Sequence, residues 1–268
     1  MFAALSDPAG IAYTMVFLVS GLVALVLIPR ARAFDDPEVR WGLIGLLATT
    51  GAWGLLKTAY LLLPAPFREP LYTLGLVAGF GTVWSWLYFS SAYTGRTLHH
   101  DRTLRRLSAA VFVTVASVKL TNPIHGQYFT VSEATSPFPH LAIEHGIFHW
   151  SATGLSYVLA SVGLFMLLEL YVRSEYDARP LAVLAVLLGL PVVFDIVAVS
   201  TPGLIDFIYA PIGVAIFAVG VLFIARDRFL AIQLTGNIPE PVVFLDESNR
   251  IREHNDAPEE LFPAISES

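Results

Sequence analysis

Long apolar blocks separated by short polar connections run through most of the chain. A helix needs about 20 mostly apolar residues to cross a hydrocarbon core roughly 30 Å thick. Blocks of that kind lie near 9–28, 41–63, 71–93, 105–121, 149–171, 180–200 and 205–225, the fourth being the shortest. They predict seven membrane-spanning helices. Pro29, Pro64, Pro70, Pro123, Pro180 and Pro202 fall at or near block ends, where helices stop or start. Pro191 and Pro211 lie inside blocks six and seven and predict kinks there. The expected fold is therefore an all-α membrane protein, with a seven-transmembrane helix bundle over 1–225. A polar linker, 226–240, follows. The last part, 241–268, reads as a short α/β segment of strand, turn, strand and helix: Pro241-Val-Val-Phe-Leu245, then polar Asp246 to Arg250, then Ile251 to Asn255, then an amphipathic start at Ala257.

Composition agrees with this reading. Hydrophobic residues make up 55% of the 268 residues, charged residues 14%, and mean hydropathy is +0.65. A soluble domain carries about 25% charged residues. Cysteine is absent, which excludes disulfides, thiol chemistry and thiolate metal sites. A net charge of −6 argues against a nucleic-acid surface. The first ten residues contain no Lys or Arg, so they lack the basic region of a secretory signal, and the first block is expected to remain as a helix. Basic residues in short loops set orientation. Arg30, Arg32, Arg40, Arg96, Arg102, Arg105, Arg106, Arg173, Arg179, Arg226 and Arg228 all fall on one side, against Arg68 alone on the other. The eleven are expected in the cytoplasm, with the N-terminus outside the cell and the C-terminus inside.

Four ordered stretches carry a family resemblance: Tyr93-Thr-Gly-Arg96, Thr121-Asn-Pro-Ile-His125, Asp206 to Pro211, and the tail PVVFLDESNRIREHNDAPEELF. The first three resemble the seven-helix N-terminal domain of prokaryotic, archaeal-type sensor histidine kinases. The spacing from Asp206 to Pro211 is longer than the family's Asp-x-x-Pro. The tail resembles the opening of a PAS sensor domain, with Asn255 at the frequent Asn before its first helix. A PAS domain needs about 100 residues, and this tail supplies under a third of that. No phosphoacceptor helix or ATP-binding domain follows, so the kinase activity of the family is not carried over and this chain is expected to be no enzyme by itself. The resemblance implies a membrane signal receptor, the sensor half of a two-component signalling protein, passing an extracellular or membrane stimulus to the PAS-like segment. Expected partners are the lipid bilayer, a ligand of unidentified chemistry, a cytoplasmic kinase or response regulator, and a second copy of the chain. No cofactor and no nucleic acid are expected.

Ionisable groups inside spans are costly and usually face the bundle interior. Lys57, Lys119, Asp195 and Asp206 all fall in the outer half of their helices, and together with His125 they suggest an outer polar pocket. The plainer alternative is snorkelling for Lys119 and Asp206 and a structural ion pair for Lys57 with Asp195. A pair would offset part of the desolvation that a lone charge leaves uncompensated. The outer segment 122–148 holds His125, His140 and His145, with His149 at its border. These could serve as metal ligands or a pH response. The spacing forms no compact metal signature, and caps on helix ends explain them as well. Glu169 is accounted for by Arg173 four residues on. Trp84, Trp86 and Tyr88 read as packing in helix 3. Block seven has no lysine for a retinal Schiff base. A small-solute or ion transporter is the alternative function, but seven helices divide poorly into repeats and no internal repeat is visible.

Overall fold

A computed structural model describes residues 3–173, 179–200, 209–224, 243–245 and 251–254; the side chains of 190–192 and 194–200 are not among those described. A 3-10 turn, Ala3–Ser6, precedes α1 (Pro8–Ala31), α2 (Pro37–Leu62), α3 (Ala65–Tyr93) and α4 (Arg102–Leu120). A single turn, α5 (Asn122–His125), leads into β1 (Phe129–Ala134) and β2 (His140–His145). Then come α6 (Ile147–Arg173), α7 (Arg179–Ser200) and α8 (Ala210–Val219), the last continued by a π-helical turn, Gly220–Ile224. Finally β3 (Val243–Leu245) and β4 (Ile251–His254) pair antiparallel; the turn expected between them and the helix expected from Ala257 lie outside the described residues.

α1, α2 and α4 begin one to four residues before their apolar blocks, at side-chain caps. Asp7 accepts a hydrogen bond from the Ala9 N–H at 2.8 Å, Asp36 from Glu38 and Val39 N–H, and Asp101 from Thr103 and Leu104 N–H. Pro8 and Pro37 follow two of these caps at the first helical position, where the missing N–H costs nothing. Two proline expectations are corrected. Pro70 lies inside α3 rather than at its start; it is exposed, as is Pro66, whose carbonyl it leaves free, so that group keeps access to its surroundings. Pro211 stands in the first turn of α8, where it starts a helix and imposes no kink.

Among the described residues α1, α2 and α6 are long and apolar enough to cross a membrane by length and composition, while α7 and α8 contribute the shorter apolar stretches Arg179–Gly189 and Ala210–Phe223. On α1 the exposed face is Ile11, Met15, Val19, Leu22 and Val26, and the buried face is Gly10, Thr14, Phe17, Gly21, Ala24 and Ala31. Large aliphatic side chains thus point outward and mostly small ones inward, the arrangement suited to lipid outside and close helix packing inside. The core has two parts. One joins α1, α2, α3, α6, α7 and α8 through residues such as Leu27, Leu43, Phe89, Leu167, Leu181 and Phe217. The other, at the opposite end, gathers Phe17, Tyr60, Tyr72 and Leu76 under Tyr128, Phe129, Phe138 and Leu141.

The four last-named residues belong to the segment read from sequence as a loop. It is instead an antiparallel hairpin, with Phe129 opposite His145 and Ala134 opposite His140. Each large apolar side chain it buries contributes about 1.5–3 kcal/mol. The hairpin is also fastened by polar contacts: the Leu141 N–H donates to the Tyr60 hydroxyl at 2.8 Å, and the Gly146 N–H to the Tyr128 carbonyl at 2.9 Å.

Candidate functional site

Beneath the hairpin the helices line a partly open cavity of about 440 Å³. Its walls come from α2 (Leu46, Trp53), α3 (Gly79, Phe80, Thr82, Trp86), α4 (Lys119), α6 (His149, Thr153, Ser156, Tyr157), α7 (Leu188, Gly189) and α8 (Ala210, Val214), and Tyr128 reaches it from the hairpin approach. Small residues make the space. A Cβ on Gly79 would stand 2.7 Å from the Trp53 ring, so glycine is what lets that indole lie flat against α3. On the other wall the Trp86 indole donates to the Ala160 carbonyl at 3.0 Å and meets Phe217 edge-on at 5.7 Å, which fits the packing role expected of it.

The lining is mostly apolar, with its titratable groups gathered at the hairpin end. Lys119 is 4% exposed. Its ammonium donates to the Leu76 carbonyl at 2.8 Å and lies 4.7 Å and 5.5 Å from the Phe80 and Tyr128 ring centres. An ammonium has three donors, so two are left to the rings and the cavity. His149 is equally buried, packs edge-on to Tyr128 at 5.4 Å and stacks on His145 at 3.7 Å. Among the described residues its Nδ1 has no hydrogen-bond partner, and neither has the Trp53 indole N–H. Burial pushes the Tyr128 hydroxyl above the ordinary tyrosine range, because the phenolate would be desolvated. A largely apolar pocket with a few convergent polar groups is the usual form of a small-molecule site.

The sequence-expected residues separate into groups. Lys119 lines the cavity. Lys57 is buried behind it, its ammonium 5.7 Å from the Phe17 and Tyr72 rings, and it is not part of the lining. The side chain of Asp195 and all of Asp206 lie outside the described residues. His125 is a cap: its Nδ1 accepts from the Gln127 N–H at 2.9 Å and its Nε2 donates to the Val118 carbonyl at 3.1 Å. His140 is buried and donates from Nδ1 to the Phe138 carbonyl at 2.7 Å. His145 Nε2 is 3.4 Å from the Tyr72 hydroxyl. His140, His145 and His149 thus do not converge on one point as a three-ligand group. Glu169 on α6 pairs with Arg96 just past the end of neighbouring α3; the side chain of Arg173, its expected neighbour, lies outside the described residues. Trp53, Tyr128 and Gly79 were not singled out from sequence. The Phe129/Val131 and Leu141/Ile143 alternation is the signal that would have placed the hairpin and, with it, Tyr128.

Two of the family-like stretches have clear structural roles. In Tyr93-Thr-Gly-Arg96, Thr94 caps α3 and Gly95 takes a φ of +65°. The Arg96 N–H then reaches the Ser91 carbonyl at 2.9 Å and the Gly95 N–H the Ala92 carbonyl at 3.1 Å, a Schellman ending that needs glycine at this point. In Thr121-Asn-Pro-Ile-His125, Asn122 holds the strand approach through its amide: its Oδ1 accepts from the Tyr128 and Phe129 N–H groups at 2.9 and 3.2 Å, and its Nδ2 donates to the Phe129 carbonyl at 2.9 Å.

A search of curated proteins found no match. The family described as the N-terminal 7TM region of histidine kinase matches residues 12–233, a span that takes in most of α1, all of α2 to α8 and both of these motifs. With a mostly helical bundle that turns its large aliphatic side chains outward, and with the match covering most of its length, this chain is a membrane protein belonging to the family of N-terminal seven-transmembrane regions of histidine kinases.

Proposed function

We propose that this chain is the sensor part of a histidine-kinase-type signalling protein and that its bundle cavity receives an amphiphilic ligand with an acidic head. The observation that carries the reading is Lys119, an amine 4% exposed at the polar end of a 440 Å³ apolar cavity, held by one backbone carbonyl and two aromatic rings and by no carboxylate among the described residues. A cation buried among neutral partners alone is costly, and an anion in the cavity offsets that cost. An acyl chain fits the aromatic and aliphatic walls, and a carboxylate suits Lys119, with the Trp53 indole N–H and His149 as further polar groups of the lining. In this reading α8 carries the response toward the linker 226–240 and the PAS-like β3–β4 segment. Trp53 and Trp86 provide the assay, because both line the cavity. A bromine-tagged undecanoate is expected to quench tryptophan fluorescence saturably in the full chain held in lipid nanodiscs. Lys119→Met should weaken its binding about 10- to 100-fold, the worth of a charge-assisted hydrogen bond, and should leave the matching bromo-alcohol nearly unchanged. Equal affinity of both probes for both proteins would remove the acidic-head reading.

The same proposal includes seven crossings with the hairpin outside the cell. It is supported by the basic loops at the ends of α1 and α3, both away from the hairpin. A single cysteine in place of Ser132 is expected to react with an impermeant maleimide on intact cells, and one in place of Ser174 only after lysis. The reverse pattern would invert the topology.

A further inference from the structure

At the end of the bundle away from the hairpin, the α3–α4 segment is fixed along its length. The Schellman ending at Gly95 starts it, the His100 N–H closes a turn on the Thr97 carbonyl at 3.0 Å, and Asp101 caps α4. Opposite it, Asp36 caps α2 and so places Glu38. These anchors bring a carboxylate to two imidazoles about sixty positions away in sequence. His99 Nε2 lies 2.7 Å from one Glu38 carboxylate oxygen, and His100 Nε2 lies 2.5 Å from the other. One donor atom from each residue falls within 4.8 Å of the others.

The Ser91 hydroxyl lies 3.1 Å from the Arg96 carbonyl and 2.9 Å from His99 Nδ1, and so orients that ring with Nε2 toward Glu38. Without a metal, each neutral imidazole can donate an Nε2–H to the carboxylate. A divalent ion would replace those protons, taking both Nε2 lone pairs and the carboxylate while the two rings, 4.2 Å apart, stay uncharged and His99 Nδ1–H donates to Ser91.

We infer that Glu38, His99 and His100 form a binding site for a divalent first-row transition-metal ion, coordinated by the two Nε2 atoms and the carboxylate, with water completing the shell. Two imidazoles and a carboxylate suit zinc-type ions better than the hard oxygen-loving cations. Bonds of about 2.0–2.2 Å place neighbouring donors about 3.3 Å apart, so each of the two His–Glu38 contacts, now 2.7 and 2.5 Å, must open by less than about 1 Å. Glu38 and His100, with side chains 42% and 56% exposed, have room to move. His99, 5% exposed, is held edge-on to the Tyr88 ring at 4.9 Å and oriented by Ser91, as metal-binding histidines are by an outer-shell acceptor. Coordination ties the first turn of α2 to the α3–α4 segment.

The test is titration of Zn²⁺ against a chromophoric chelator, with the full chain in nanodiscs and free of any affinity tag. One ion per chain should bind, and Zn²⁺ should raise the unfolding temperature. Glu38→Gln and His100→Ala, both at partly exposed positions, should each weaken binding at least about 100-fold and abolish the thermal shift. Ser91→Ala should weaken it about 10-fold through the outer shell. His145→Ala, at the other end of the bundle, should leave it within about twofold. Absence of Zn²⁺ binding to the wild-type chain, or binding and thermal shift that survive Glu38→Gln and His100→Ala, would overturn the site.

Discussion

Asn122→Ala is expected to destabilise the hairpin end by about 3 kcal/mol or more. Asn122 is 2% exposed and makes three hydrogen bonds to the backbone of Tyr128 and Phe129. Alanine leaves two N–H groups and one carbonyl of that approach without their partner. A buried group left unsatisfied costs about 1–3 kcal/mol. Local relaxation recovers part of that sum, so the net stays below three full penalties. The neighbouring Pro123 is exposed, and Pro123→Ala should change stability by no more than about 0.5 kcal/mol. Thermal unfolding in nanodiscs and protease sensitivity of residues 126–146 are the measurements. Equal behaviour of the two variants would show that the amide does not hold the hairpin. Because Tyr128 lines the cavity, Asn122→Ala should also weaken binding of the bromo-acid probe.

Gly54→Leu is expected to prevent α1 and α2 from docking, and Gly54→Ala to cost about 1–3 kcal/mol. A Cβ at this position would stand 2.8 Å from the Gly21 Cα and 2.9 Å from the Phe17 carbonyl oxygen. Both are backbone atoms of α1, so no side-chain rotation relieves the clash. Gly21 faces the same contact, where a Cβ would meet the α2 backbone at 3.1–3.3 Å. In lipid, helices associate through close backbone packing of this sort, since the lipid is as apolar as their side chains. Gly154 on α6 is the control: nothing lies within 4 Å of a Cβ there, and Gly154→Ala should be neutral or stabilise by up to about 1 kcal/mol through helix propensity. Unfolding temperatures measured in one lipid mixture would separate the outcomes, and a Gly54→Ala that matches Gly154→Ala would show that the α1–α2 contact is looser than these distances imply.

Much of the candidate site was hidden in the sequence for a specific reason. Lys119 stood out because a charge in an apolar block is conspicuous, but its companions did not. Trp53, Phe80 and Tyr157 look like ordinary apolar or aromatic residues in a chain that is 55% hydrophobic. Their facing surfaces depend on which helices are neighbours, and hydropathy carries no information on that. His125 was drawn to the pocket by type and depth, yet its two ring nitrogens are taken by the Gln127 N–H and the Val118 carbonyl. The adjacent His99 and His100 drew no reading from the sequence, since two neighbouring histidines in a polar loop carry no signature by themselves. Their carboxylate partner lies about sixty residues away on another helix, beyond any local spacing rule.

The sequence by itself determined the solvent of this protein and, where a local cap stands, the ends of its helices. Uninterrupted apolar blocks can satisfy their backbone groups in lipid only as helices. Asp7-Pro8, Asp36-Pro37 and Thr94-Gly95 mark helix ends through contacts made within a few residues. The tertiary structure alone decided which faces meet, because lipid and protein interior are equally apolar and the hydrophobic pattern does not distinguish them. That choice rests on shape: Gly21 against Gly54, Gly79 against Trp53. The hairpin likewise became legible only once Tyr60, Tyr72 and Asn122 were seen to receive it, since a two-stranded ribbon needs a surface to pack on before it is stable.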